Sequence, residues 1–208
     1  MEFYEGAIKT QGFSPLDVLS DNGYSSSVCY LAQKNGRKYV FKFPNMDTFS
    51  SRGILDGKDV FSIRRESELL KLLKGKKGIP QEAYLFDCCN FHGVCECKCP
   101  KSFSPLFLRK EYIEGQELVR GKKVRGENKE FLINLVKFFH QKGYARLDLS
   151  WPGNVIVDSN DFPWIVDLGN ASTMGDKVEI QGNIHDVDFR LFEEFRRQDH
   201  LDLARICA

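Results

Sequence analysis

The clearest pattern along the chain is a pair of apolar-rich segments, 25–32 and 38–43, separated by Gln33-Lys34-Asn35-Gly36. Asn and Gly both tolerate positive φ, so Asn35-Gly36 predicts a tight turn and the pair a β-hairpin. Residues 44–60, punctuated by Pro44, Gly53 and Gly57, read as a loop. Residues 62–74 are rich in Leu and charge and run into Gly75, which predicts a helix with a glycine stop. Segments 84–89 and 106–113 read as strands flanking a cysteine-rich turn, with Glu114-Gly115 breaking the second. Residues 114–128 are polar and basic and read as a linker, with Asn128 placed to cap the next helix. Phe131, Leu132, Leu135, Val136 and Phe139 then recur on one helical face up to Gly143. Segments 154–157 and 164–166 are two short strands joined by Asp158-Ser159-Asn160-Asp161, and a final helix is predicted over 185–198, presenting Val187, Leu191 and Phe195. Strands with one helix, then helices with one hairpin, predict an α+β chain of two lobes, 1–113 and 114–208, joined near 111–116.

Composition narrows the function classes. The chain has 208 residues, enough to bury a core without disulfides or metals. Lys plus Arg is 30 and Asp plus Glu is 29, a net charge of +1, which removes the electrostatic argument for a nucleic-acid or anionic-membrane binder. Seventeen Phe, 7 Tyr and 2 Trp argue against disorder. The opening MEFYEGAIKT carries acids and no apolar run, so no secretory leader is expected; no segment reaches membrane-spanning length, and a cytoplasmic location is expected.

Four features then occur in a meaningful order. Gly23-Tyr24-Ser25-Ser26-Ser27-Val28 opens the hairpin, where small residues let backbone N–H groups approach phosphate oxygens. Lys42 ends the second hairpin strand, and Glu66 on the following helix is placed to hold it, with Glu68 as the alternative. Arg146-Leu147-Asp148-Leu149 follows a helix, with Asn154 beyond it, and Asp167-Leu168-Gly169 follows the second hairpin. Asn154 and Asp167 supply oxygen donors of the kind Mg²⁺ prefers, and Asp148 suits a base that orients a hydroxyl.

These residues give the chain a resemblance to the protein kinase-like superfamily, running from about residue 19 to 169. Lys42, Glu66, Asp148, Asn154 and Asp167 match the strand lysine, helix glutamate, catalytic-loop Asp and Asn, and metal-binding Asp of the family. The resemblance implies a two-lobed kinase-like fold with a shortened C-terminal lobe. It implies ATP and Mg²⁺ as cofactors, with Gly23, Ser25, Ser26 and Val28 around the nucleotide. The segment LRKEYIEGQEL looks like the kinase hinge, which implies adenine binding by backbone groups of Glu111 and Ile113. The acceptor it implies is a hydroxyl, of a protein Ser or Thr or of a sugar; a non-catalytic nucleotide-binding scaffold with a protein partner is the alternative from another class.

Departures from the family pattern are specific. Asp21 and Ser26 stand at glycine positions of the phosphate loop, Arg146-Leu147 stand where His-Arg is usual, and Ser150 stands where protein kinases carry Lys. The Asp148-to-Asn154 spacing and Pro152-Gly153-Asn154 look like RIO, KEOPS-type and lipopolysaccharide-core kinase-like families. The stretch after Gly169 is too short for the helices that dock peptides in ordinary protein kinases.

Simpler readings stand beside these. Lys42 also fits a solvated strand end, and Glu66 a solvated helix face with local ion pairs. Asp158 and Asp161 read as turn formers. His140 suits a helix C-terminus, and His185 and His200 the surface. Cys88, Cys89, Cys95, Cys97 and Cys99 with His92 admit a structural zinc site, but their spacing lacks the paired C-x-x-C of familiar sites and favours free thiols. Cys29 reads as core.

Overall fold

The computed structural model describes residues 2–20, 27–44, 58–87, 106–118, 123–180 and 183–207. They form a mixed α+β chain with antiparallel sheets that divides into two compact units. The first takes in Met1–Gly75 and Pro80–Tyr112, and the second Lys76–Ile79 and Ile113–Ala208. Among the described residues no helix is long and apolar enough to cross a membrane.

The first unit is a five-stranded sheet with two helices. Strands β1 (Ser14–Ser20), β2 (Ser27–Lys34), β3 (Arg37–Pro44), β4 (Ala83–Asp87) and β5 (Leu106–Glu111) lie in the order β1-β2-β3-β5-β4, with helices α1 (Glu2–Thr10) and α2 (Lys58–Leu72). Asn35 (φ 52°) and Gly36 (φ 77°) are both left-handed, which closes the β2–β3 hairpin in the two-residue turn expected there. Residue alternation then sorts the sheet into two faces. Val28 pairs with Phe43, Tyr30 with Phe41 and Ala32 with Tyr39, so these six share one face. With Phe107, Phe13 and Tyr4, Ala7 and Ile8 of α1 they form an aromatic core cluster. On the opposite face Cys29 pairs with Lys42, and Lys42 with Leu108.

The second unit holds a three-stranded sheet, β6 (Gln116–Glu117), β7 (Val155–Val157) and β8 (Pro163–Ile165), in that order. It also holds the hairpin of β9 (Lys177–Ile180) with β10 (Asn183–Asp186), and helices α3 (Gly126–Gln141) and α4 (Phe189–Ile206). Leu132, Leu135, Val136 and Phe139 are the buried stripe of α3, as their spacing predicts. The helix stops at Gly143 (φ 81°), where Gly143 donates to the carbonyl of His140 and Tyr144 to that of Phe139, the paired bonds of a glycine-terminated helix end.

Several expectations are corrected. Asn128 is not a cap: α3 begins at Gly126 after an extended Arg125, and the Asn128 amide instead donates to the carbonyl of Asp161. The segment read as a linker contains β6, whose pairing with β7 the two-residue length hides from any pattern. His185 belongs to β10, and the last helix starts later because Asp188 caps it, accepting the N–H of Leu191. Asp158 is a turn former as expected, with Oδ1 accepting from the N–H groups of Asn160 and Phe162 and Oδ2 from the Trp164 indole.

Candidate functional site

In the first unit the chemistry centres on Glu66. The residue is fully buried on α2 and its carboxylate meets two ammonium groups. Lys42 Nζ lies 2.8 Å from Oε2, and Lys110 Nζ bonds Oε1. Lys42 and Lys110 are themselves only 3% and 5% exposed, so neither is a solvated strand-end lysine. Glu68, two residues along the helix, is exposed. A buried carboxylate needs such partners, because an uncompensated charge in the interior costs several kcal/mol, on the order of the loss on breaking a buried pair. Lys110 was missed by sequence reading, although one signal existed: it shares strand parity with Leu108, which is buried.

The remaining predicted residues of this unit are distributed differently. Val28 is 3% exposed in the aromatic cluster, on the face opposite Lys42. The β2 residue that shares the lysine face is instead the half-buried Cys29. The N–H of Glu111 donates to the carbonyl of Glu82 and its Oε2 accepts from the N–H of Gln81, so Glu111 is tied to the residues just before β4. Gly23, Ser25 and Ser26, and Cys88, Cys89, His92, Cys95, Cys97 and Cys99 with the zinc site they admit, lie outside the described residues.

In the second unit Asp148, Asn154 and Asp167 come from a loop and the hairpin that follows it. Leu147 and Leu149 are buried and anchor the loop on either side of a half-buried Asp148. The carbonyl of Asp148 accepts from Asn154 Nδ2 at 3.0 Å and from the N–H of Trp151 at 3.1 Å. Asn170 Nδ2 donates to Asp148 Oδ2 at 3.0 Å. Asp167 Oδ1 accepts the N–H of Gly169 at 2.9 Å, and the carbonyl of Asn154 accepts from Val166, which ties the two oxygen-bearing residues to one hairpin. Burial pushes the Asp148 carboxyl above its ordinary range, helped by the charges of Asp202 and Asp167, while the Asn170 bond and Arg146 oppose the shift.

The loop is held by a helix that sequence reading did not connect to it. Arg146 (φ 63°) and Asp148 (φ 55°) are both left-handed, a conformation that costs a side-chain-bearing residue roughly 1–2 kcal/mol. Asp199 of α4, 1% exposed, accepts the N–H of Arg146 at 3.1 Å and of Leu147 at 2.8 Å. It also lies 2.9 Å from His140 Nε2, so His140, in the last turn of α3 as expected, is also a buried partner of α4. One turn on, Asp202 accepts the N–H of Ser150 at 3.4 Å and the Gln198 amide at 2.8 Å. The signal was present: both aspartates fall within the apolar stripe Phe192, Phe195, Leu203 and Ile206.

Among the described residues no three His, Cys, Asp or Glu side chains converge as a metal cluster. Asn154 and Asp167 nevertheless fit what Mg²⁺ asks of a protein, which is one or two oxygen donors, the rest coming from water and phosphate. With its amide nitrogen committed to Asp148, Asn154 has its Oδ1 to offer a hard cation. No family model matches the sequence, and no curated protein matches it.

Proposed function

We propose that the protein is an ATP-dependent phosphotransferase of two-lobed, kinase-like fold, acting on Ser or Thr hydroxyls of a protein. The observation that carries this reading is the buried Lys42–Glu66 pair, because a lysine held on a carboxylate in the interior is what phosphate binding requires of that strand. The arrangement around Asp148 supports it from the other unit. A half-buried carboxylate with a raised pKa, fixed by Asn170 and a strained backbone, is a better proton acceptor than an exposed aspartate.

Lys42 binds the phosphates, and Glu66 orients its ammonium. Asp148 accepts a hydrogen bond from the acceptor hydroxyl and directs its oxygen at the γ-phosphorus. The new O–P bond forms as the bond to the β,γ-bridging oxygen breaks; the hydroxyl proton passes to Asp148 and ADP leaves with the bridging oxygen. Asn154 and Asp167 would hold Mg²⁺, which when bound neutralises charge on the phosphates. Incubation with γ-labelled ATP and Mg²⁺, with and without cell extract, tests the reading. Label on protein Ser or Thr is expected; label on a saccharide alone moves the acceptor class, and no transfer in either arm contradicts the proposal.

A further inference from the structure

We infer that Lys110 is a positioning residue that sets the ammonium of Lys42 through Glu66; this rests on the phosphate-binding role proposed for Lys42. Lys42 pairs with Leu108 and Val40 with Lys110, and a step of two residues along β5 returns to the same face. Lys42 and Lys110 are therefore diagonal neighbours on adjacent strands, with Glu66 of α2 bonded to both. Each lysine takes a different oxygen of the carboxylate. The last torsion of a glutamate is broad, so an ion pair through one oxygen alone leaves the carboxylate plane free to rotate. A second ammonium on Oε1 removes that freedom and fixes where Oε2 lies. Lys42 has three N–H groups, and once one is fixed on Oε2 the directions of the other two are restricted. All three side chains are buried, so water does little to screen this coupling.

A residue that acts through Lys42 differs in its consequences from one that touches the nucleotide. If Lys110 works only by placing Lys42, its loss has no further effect once Lys42 is gone. The test is calorimetric titration of Mg·ATP into wild type, Lys110→Met, Lys110→Gln, Lys42→Met and the Lys42→Met/Lys110→Met double variant, with denaturant unfolding of each. Lys110→Met is expected to weaken affinity about tenfold, within the range of coupling between contacting residues. Lys110→Gln, which keeps an N–H donor, should fall between it and wild type, and the double variant should bind no more weakly than Lys42→Met. Wild-type affinity in Lys110→Met, or losses that multiply in the double variant, would overturn the inference. If wild type itself fails to bind Mg·ATP, the phosphotransfer reading fails separately, and unfolding decides this one. Non-additive costs of the two substitutions sustain the coupling through Glu66, and additive costs defeat it.

Discussion

Asn170 donates to Asp148 across 3.0 Å, the one side-chain hydrogen bond to that carboxylate among the described residues. One bond does not offset its burial, and the Asp148 pKa is raised. A carboxyl whose folded pKa exceeds its unfolded value is penalised when ionised. The penalty is absent below the ordinary value of 3.8 and complete above the raised one. Asp148→Asn removes the charge and suits the left-handed backbone. It should therefore melt above wild type at pH 7, and the difference should shrink as pH falls below 4. Melting curves at both pH values check this; an equal or lower melting temperature at pH 7 contradicts it.

Glu66 and Glu68 sit two residues apart on α2 with opposite fates. Glu66→Ala leaves two buried ammonium groups without their carboxylate and should cost about 3–5 kcal/mol. Glu68→Ala removes an exposed side chain and should stay within about 0.5 kcal/mol. Urea unfolding of the two variants decides, and the reverse order would contradict the burial assigned to α2.

What the sequence revealed follows from how local each signal is. Asn35-Gly36 and Gly143 act through the φ of their own residues, so the hairpin and the end of α3 were legible. Lys42 and Glu66 were legible only as a pair of residue types; their burial depends on strand pairing and on Lys110 of a distant strand. The role of Asp199 was hidden because its partners, the N–H groups of Arg146 and Leu147, are backbone groups that leave no mark in sequence, more than fifty residues away. The face that Val28 occupies was not legible because it depends on register with Phe43, and a one-residue step exchanges the two faces of a strand.

Asp199 supports a backbone that is strained at Arg146 and at Asp148. Asp199→Ala deprives two backbone N–H groups of their acceptor and His140 of its buried partner, and should cost at least ~2 kcal/mol. In hydrogen exchange the amides of Arg146 and Leu147 should lose protection ahead of the α3 core. Unchanged exchange at those amides would show that α4 does not hold the loop.

Gly115 is tight for a reason unrelated to φ. A Cβ there would collide with the carbonyl oxygen of Val157 and with Ile156 Cγ2, which stands 2.7 Å away. Gly115→Ala should therefore destabilise the β6–β7 pairing by about 1–3 kcal/mol. Equilibrium unfolding measures it, and a neutral result would mean that the two strands separate without cost.

The central claim is that Asp148 acts on the acceptor hydroxyl while Asp167 serves the metal. It is tested most directly by single-turnover transfer of the γ-phosphate from Mg·ATP, with nucleotide affinity read on the same preparations. Asp148→Asn should bind Mg·ATP as wild type does and transfer about 10²–10⁴-fold more slowly; its expected gain in melting temperature separates this loss from misfolding. Asp167→Asn should lose affinity and transfer together. Full transfer by Asp148→Asn would contradict the account.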